Sequence, residues 1–419
     1  MKRNLDVWWD NKIVGQLTQN EHGDLGFVYA PAWLADAHTL PLSASLPKRE
    51  KAFKKRECRP FFAGLLPEEN QREVVARVLG VSPANDFSLL DRLGGDVAGA
   101  IELLPPGMGP SSSPAKYPPT RLDDAALIKL LDELPLRPLL VGEKGLRLSL
   151  AGAQPKVPVV LVDNGVALPA PGQPTTHILK PPLGRFRGTT ENEAFVMRLA
   201  AAVGLDVAKV EPRVVCGRPF LLIERYDRFV DADGRVQRIH QEDFCQATGV
   251  APENKYASEG GPTFVDCFTL LRKSSAVPGL DVIKLLDAAI FNVIVGNADA
   301  HGKNFSILHR SRGRRLAPLY DLLSTAFYPE IAATFAMKIG RRSTLGELDT
   351  KGWEQFAKDA GISWPLVRQR VREIAEKIEA RIVTVATGIA SHDLDRAVVD
   401  ELATLIGGRV APCATSVTK

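Results

Sequence analysis

The chain has 419 residues, of which 45% are hydrophobic and 24% charged, with a net charge of +4. That length suits two or three domains, and the balance excludes wholesale disorder, a small disulfide-stapled module and a polytopic membrane protein. Five scattered cysteines (Cys58, Cys216, Cys245, Cys267 and Cys413) with no CxxC pair spell out neither a disulfide framework nor a zinc site, and are expected to be reduced and mostly buried. The start, MKRNLDVWWD, lacks the apolar core of a leader peptide, and the longest apolar run, near Ala288 to Gly296, is too short to span a bilayer. A cytosolic protein without a membrane partner is therefore expected. The mild basicity is compatible with an acidic partner but does not by itself imply nucleic acid.

The first hundred residues alternate short strand-like runs with turn signals. Leu5 to Trp9 precedes Asp10-Asn11, Ile13 to Leu17 follows, and Gly26 to Tyr29 comes after His22-Gly23-Asp24. Helical patterns over Glu68 to Leu79 and Asp86 to Leu93 and a strand over Val97 to Leu104 complete a compact α+β unit, residues 1–104. The stretch 105–120, PPGMGPSSSPAKYPPT, has six prolines in sixteen residues and reads as a linker. Beyond it, Asp163-Asn164-Gly165 joins Val157 to Val162 and Gly165 to Leu168 in a hairpin, and Thr176 to Leu179 is another strand. Thr190 and Glu193 have capping-box spacing for a helix whose face is Phe195, Leu199 and Val203. Phe220 to Ile223 reads as a buried strand before the charged ERYDR. From Cys267 onward helices dominate, and Asp281 is expected to cap one that ends at Gly296. The architecture predicted is α+β, with a small N-terminal domain, the linker, a nucleotide lobe at 121–230 and a mostly helical lobe at 231–419, the active site lying in the cleft between lobes.

The chemistry concentrates in NADAHGKN, residues 297–304, directly after the apolar helix. An aspartate followed five positions later by an asparagine is the spacing of a kinase catalytic loop, where the carboxylate orients the attacking hydroxyl and the amide oxygen holds a metal ion. Asp299 is the candidate base and Asn304 a metal ligand. Asp321, in LYDL, is placed to bind a magnesium ion bridging ATP phosphates. Upstream, Lys180 ends a strand just before an acidic helix start, as in kinases where a strand lysine neutralises the phosphates. Whether Glu191 or Glu193 partners it is open. In LSLAGAQPK, the small residues Ala151, Gly152 and Ala153 let backbone amides approach phosphate oxygens, and Lys156 adds charge.

The order of these features along the chain is that of a two-lobed kinase. RLSLAGAQPK, HILKPP, ENE, ERYDR, RIHQEDFCQATG, KYASEGGP, NADAHGKNFS and PLYDLLS, with PLSASLP, FFAGLLPE and GDVAGAI near the start, resemble the HipA family of bacterial toxin kinases of type II toxin–antitoxin systems. The resemblance covers most of the chain. It implies Asp299 as catalytic base, Asn304 and Asp321 as magnesium ligands, Lys180 as the phosphate-binding lysine, and Ala151, Gly152, Ala153, Gln154, Pro155 and Lys156 as the nucleotide loop. It further implies that Glu224, Arg225 and Tyr226 meet the adenine through main-chain groups, that His301, Gly302, Lys303, Asn304, Tyr320 and Asp321 complete the ATP pocket, and that Ser149 is autophosphorylated. Pro155 departs from the glutamate common in the family and removes one backbone donor. The partners implied are a helix-turn-helix, HipB-like antitoxin, operator DNA mainly through that antitoxin, and a protein substrate such as an aminoacyl-tRNA synthetase.

Two rival readings differ in class. One is a phosphotransferase acting on a small molecule, and the other a non-catalytic corepressor, against which stand Lys180, Asp299, Asn304 and Asp321. His240 and Cys245 suggest no metal site, and His301 reads as a hydrogen-bonding loop residue. The basic stretch Lys48 to Arg59 reads as a solvated face, whereas Arg368, Arg370, Arg372, Lys377 and Arg381 on a predicted helix could meet DNA phosphates.

Overall fold

The protein is described by a computed structural model over residues 3–110, 118–143, 146–390 and 393–418, excluding the side chain of Ala390. Within the proline-rich linker, positions 111–117 lie outside the described residues. The fold is mixed α and β. Two compact units result, one of Met1–Pro181, Glu224–Glu253 and Leu308–Arg310, the other of Pro182–Ile223, Asn254–Ile307 and Ser311–Lys419.

The first unit opens on an antiparallel sheet in the order Phe53–Lys54, Leu25–Tyr29, Lys12–Gln19, Arg3–Trp9, Ile101–Leu104. Asp10 and Asn11 take φ of 48° and 60°, the left-handed pair that a two-residue hairpin needs and that these side chains tolerate. Leu5, Val7 and Trp9 alternate inward, and Phe27, Phe53, Phe61 and Phe62 fill the core beneath. The helices Lys55–Ala63, Glu69–Leu79 and Asp86–Leu93 accompany the sheet; the last is capped by Asn85, whose side chain accepts from the Ser88 amide at 3.0 Å. The strand expected from Val97 begins only at Ile101, because Val97 and Gly99 turn their main-chain groups toward arginines and an aspartate elsewhere in this unit. Asp163 and Asn164, at φ 47° and 62°, close the expected hairpin of Val157–Val162 and Gly165–Leu168, and Val157 pairs with Leu179 of the strand His177–Lys180.

In the second unit the helix Thr189–Ala202 does not use the expected capping box. Its N-cap is Gly188 at φ 64°, where a Cβ would come within 2.5 Å of Val398, so Thr190 lies inside the first turn. Asp281 is likewise no cap. The helix Pro278–Val295 starts three positions earlier with proline in its first turn, and the buried Asp281 carboxylate accepts from Ser275 Oγ at 2.6 Å, the Leu316 amide at 2.9 Å and Arg315 at 3.0 Å. Burial alone would raise its pKa, but those bonds outweigh it and hold the group below the usual carboxylate value. The long helices Trp364–Ala390 and Arg396–Ser416 pack on each other. Arg370 forks onto Asp287 at 2.7 and 2.5 Å, while Arg368, Arg372, Lys377 and Arg381 are exposed. All five cysteines are free thiols, and all but Cys216, in the turn after the strand Val210–Val215, are buried. No helix among the described residues is long and apolar enough to cross a membrane.

Candidate active site

The loop carrying Asp299 is fixed from both ends within the second unit. Gly296 ends the preceding helix at φ 76°, in a place where a Cβ would lie 2.6 Å from Ala326. The Gly296 carbonyl accepts from the Ala326 amide at 3.0 Å and from Thr325 Oγ1 at 2.9 Å, and Thr325 Oγ1 in turn accepts from the Ala298 amide at 2.8 Å. Asn297 donates through Nδ2 to Asn292 Oδ1 at 3.0 Å and accepts from the Asp299 amide at 3.2 Å. Asn304 closes the far end as its Oδ1 accepts from the His301 amide at 3.2 Å. One hydroxyl and three amide side chains thus set the path of the loop.

Asp299 Oδ1 accepts from the Tyr256 hydroxyl at 3.0 Å, and Tyr256 meets the His301 ring edge-on at 5.3 Å. Asn304 donates from Nδ2 to Asp321 Oδ2 at 3.0 Å, so the two expected metal ligands are neighbours. Asp321 sits at φ 56°, a left-handed conformation that aspartate accepts more readily than most residues. The flanking chain is pinned: the Leu319 amide donates to Asp206 O at 2.8 Å, and Tyr320 donates to Lys303 O at 2.6 Å. Past Asp321, the fully buried Asn192 grips Ser324 twice, donating to its carbonyl at 2.9 Å and accepting from its amide at 2.7 Å. The middle residue of ENE therefore holds the segment after Asp321. Glu191 lies 3.5 Å from the Asp395 amide. The second unit brings together Asp299, His301, Gly302, Lys303, Asn304, Tyr320 and Asp321.

The remaining candidates belong to the first unit. Gly152, at φ 114°, and its neighbours form a turn in which Lys156 Nζ donates to Ala151 O at 2.6 Å, and the Gly152 carbonyl accepts from the Glu68 amide at 3.2 Å. Pro155 is buried, and Gln154 Nε2 lies 3.5 Å from Pro181 O. Lys180 ends its strand with 6% of its surface exposed. Ser149 is fully buried, its Oγ donating to Leu65 O at 2.7 Å and its amide to Asp96 O at 2.9 Å. Glu224 is exposed and Tyr226 donates to Gln241 Oε1 at 2.6 Å, whereas Arg225 is buried with its side chain among Asp96, Thr175 and Asp227. Motif spacing assigns no role to Tyr256, Asn192, Thr325 or Asn297. Each stands in or beside a quoted motif as an uncharged polar residue, and that was the signal available.

The family described as HipA N-terminal domain matches residues 5–104, and the one described as HipA-like C-terminal domain matches residues 148–385. The chain belongs to the HipA family. A Sinorhizobium fredii protein provisionally named kinase Y4mE is 63% identical to this HipA-family chain over 97% of each. The serine/threonine-protein kinase toxin HipA of Shewanella oneidensis is 29% identical, over 94% of this chain and 92% of the toxin. Among solved structures, a chain of the Shewanella oneidensis complex of HipA, HipB and operator DNA superposes with a TM-score of 0.84 at 26% identity, covering 97% of this chain and 96% of that one. The protein is thus a HipA-like member of a kinase-toxin family, with the corresponding kinase-like fold.

Proposed function

We propose that the chain is an ATP- and magnesium-dependent serine/threonine protein kinase, the toxin of a type II toxin–antitoxin module acting in the cytoplasm. The observation that carries this reading is the loop from Asp299 to Asn304 with Asn304 Nδ2 3.0 Å from Asp321 Oδ2. Asp299 orients the incoming serine or threonine hydroxyl and takes its proton, with the Tyr256 hydroxyl holding Oδ1. Magnesium fits the donor set, since Asn304 and Asp321 offer hard oxygens and the Asn304 amide oxygen has a second lone pair beyond the one facing His301. When bound there, the ion supplies charge neutralisation for the phosphates. Lys180 and the Ala151–Lys156 loop hold the phosphates, the Glu224–Tyr226 main chain meets the purine, and His301 to Lys303 with Tyr320 complete the nucleotide contacts.

Ser149 is the site of self-phosphorylation in this reading. Its hydroxyl is buried against Leu65 O, so it reacts only after the segment leaves that place. A phosphoserine, carrying about −1.5 to −2 charges, cannot return to a slot built for one hydroxyl, and the nucleotide loop stays displaced. Equal ATP turnover by Ser149→Asp and the parent would refute this switch. The solved HipA–HipB–operator complex supports a HipB-like helix-turn-helix antitoxin that carries this chain to DNA. The family resemblance points to an aminoacyl-tRNA synthetase or a similar translation protein as substrate.

The test is purified full-length protein with labelled ATP and magnesium in a whole-cell extract, expected to yield phosphoserine or phosphothreonine on a defined protein. Asp299→Ala should lower transfer by about 10³-fold or more while ATP binding persists. Retained turnover, or label on small molecules alone, would overturn the proposal.

A further inference from the structure

Three stretches distant in the chain meet at one carboxylate in the first unit. Asp96 Oδ2 accepts from Thr175 Oγ1 at 2.7 Å, the Thr175 amide at 3.3 Å and Arg225 Nη1 at 3.3 Å. Its Oδ1 accepts from Arg228 Nη2 at 2.9 Å and Arg238 Nε at 3.2 Å. Opposite it, Asp227 receives Arg225 at 3.0 and 2.8 Å and the Gly99 amide at 2.7 Å. Glu102 completes the set, 3.2 Å from Arg238. Three acids therefore face three arginines, and the Asp96, Asp227, Arg225 and Arg228 side chains are each no more than 5% exposed. Apolar side chains could fill such a space without the desolvation penalty. What ion pairs add is direction.

That direction bears on the segment Glu224–Tyr226. The Arg225 amide donates to Thr176 O at 2.9 Å, and the Arg225 carbonyl accepts from the Arg228 amide at 3.2 Å. Peptide groups are planar, so the first bond also orients the Glu224 carbonyl and the second the Tyr226 amide. Asp96 anchors both sides of the first bond, through the Arg225 guanidinium and through Thr175 next to Thr176. Its own carbonyl accepts the Ser149 amide at 2.9 Å, which ties the segment entering the proposed nucleotide loop to the same residue.

We infer that Asp96 is a positioning residue for nucleotide binding, setting the orientation of the Glu224 carbonyl and the Tyr226 amide through Arg225 and Thr175. This rests on the assignment of Glu224–Tyr226 to the purine. Asp96 touches no substrate; it acts from the N-terminal segment on a stretch 129 residues later.

The double variant Asp96→Asn/Arg228→Gln removes one charge of each sign, so the cluster stays balanced while its anchor is weakened. In the full-length protein its dissociation constant for magnesium-ATP by calorimetry, and its KM for ATP, should rise on the order of tenfold. The kcat at saturating ATP should stay within about twofold of the parent, since the reacting groups are untouched. Amide exchange should quicken at 224–226. Thr175→Val, which changes no charge, should weaken binding by about threefold. If the double variant does not fold, Thr175→Val decides the question. Parental ATP affinity and parental amide exchange at 224–226 in either folded variant, or a fall in kcat with KM unmoved, overturns the inference. A parent that binds no ATP refutes the kinase reading instead.

Discussion

In the first unit the stretch Glu224–Tyr226 is backed by a cluster of buried charges, whereas in the second the Asn297–Asn304 loop carries a set of hydrogen bonds from uncharged side chains. Asp96, Asp227 and three arginines form the former; Asn292, Asn297, Asn304 and Thr325 form the latter, with Asn192 on Ser324 beyond Asp321. The contrast follows from what each stretch presents. The main-chain purine contact proposed for Glu224–Tyr226 is uncharged, so ions behind it would fix geometry without opposing the ligand. In the proposed reading Asp299 and Asp321 act as carboxylates, and a guanidinium paired with either would compete for the place of magnesium. The hydrogen bonds from Asn292, Asn297, Asn304 and Thr325 hold the loop without adding a net charge of their own.

The largest expected effect that would break this contrast is at Asp96. Alanine there leaves buried guanidinium groups undercompensated and should lower stability by about 3–5 kcal/mol in denaturant unfolding at neutral pH. Burial alone would raise the Asp96 pKa, but Arg228, Arg225 and Arg238 outweigh it and hold the carboxyl well below the usual range. A depressed folded pKa gives stability that is fully present above the unfolded value, about 3.9, and lost as pH falls through the folded one. The deficit of Asp96→Ala should therefore be constant from pH 7 to about 4 and shrink below it. A deficit that grows in acid would contradict the ionic account.

Asn192→Ala should cost about 2 kcal/mol, because it leaves a buried amide and a buried carbonyl of Ser324 without this partner. Its deficit should be the same at pH 7 and pH 4, and a pH-dependent one would mean that the second scaffold is not neutral in practice. Smallest is Tyr256→Phe, which removes one hydroxyl from Asp299 Oδ1 and should lower kcat about three- to tenfold with little change in stability. Steady-state kinetics beside a melting curve separates the two.

The features legible in the sequence were the local ones. Asp10-Asn11 and Asp163-Asn164 announced their hairpins because the left-handed turn is decided by two residues, and the Asp299 to Asn304 spacing announced the loop. The misreadings were also local rules, overridden by packing. Gly188 displaced the Thr190 cap because Val398 leaves no room for a side chain there, and Asp281 was drawn to Arg315 and Ser275. Asp96 with Arg225, and Asn192 with Ser324, are 129 and 132 residues apart, beyond any periodicity or capping rule. The available hint was a lone acid among glycines in GGDVAGA, and an amide between two glutamates in ENE.

The turn at Cys216-Gly217, left-handed at φ 46° and 77°, puts the exposed thiol of the chain at the tip of a hairpin. Burial pushes the Cys58 and Cys413 thiols up to about 12, and Cys245 and Cys267 are also enclosed. Maleimide at neutral pH should consequently mark Cys216 in the native protein, giving a fluorophore attachment point without mutagenesis. Four further equivalents of dye taken up on adding denaturant, one for each buried thiol, would then report global opening on the same sample.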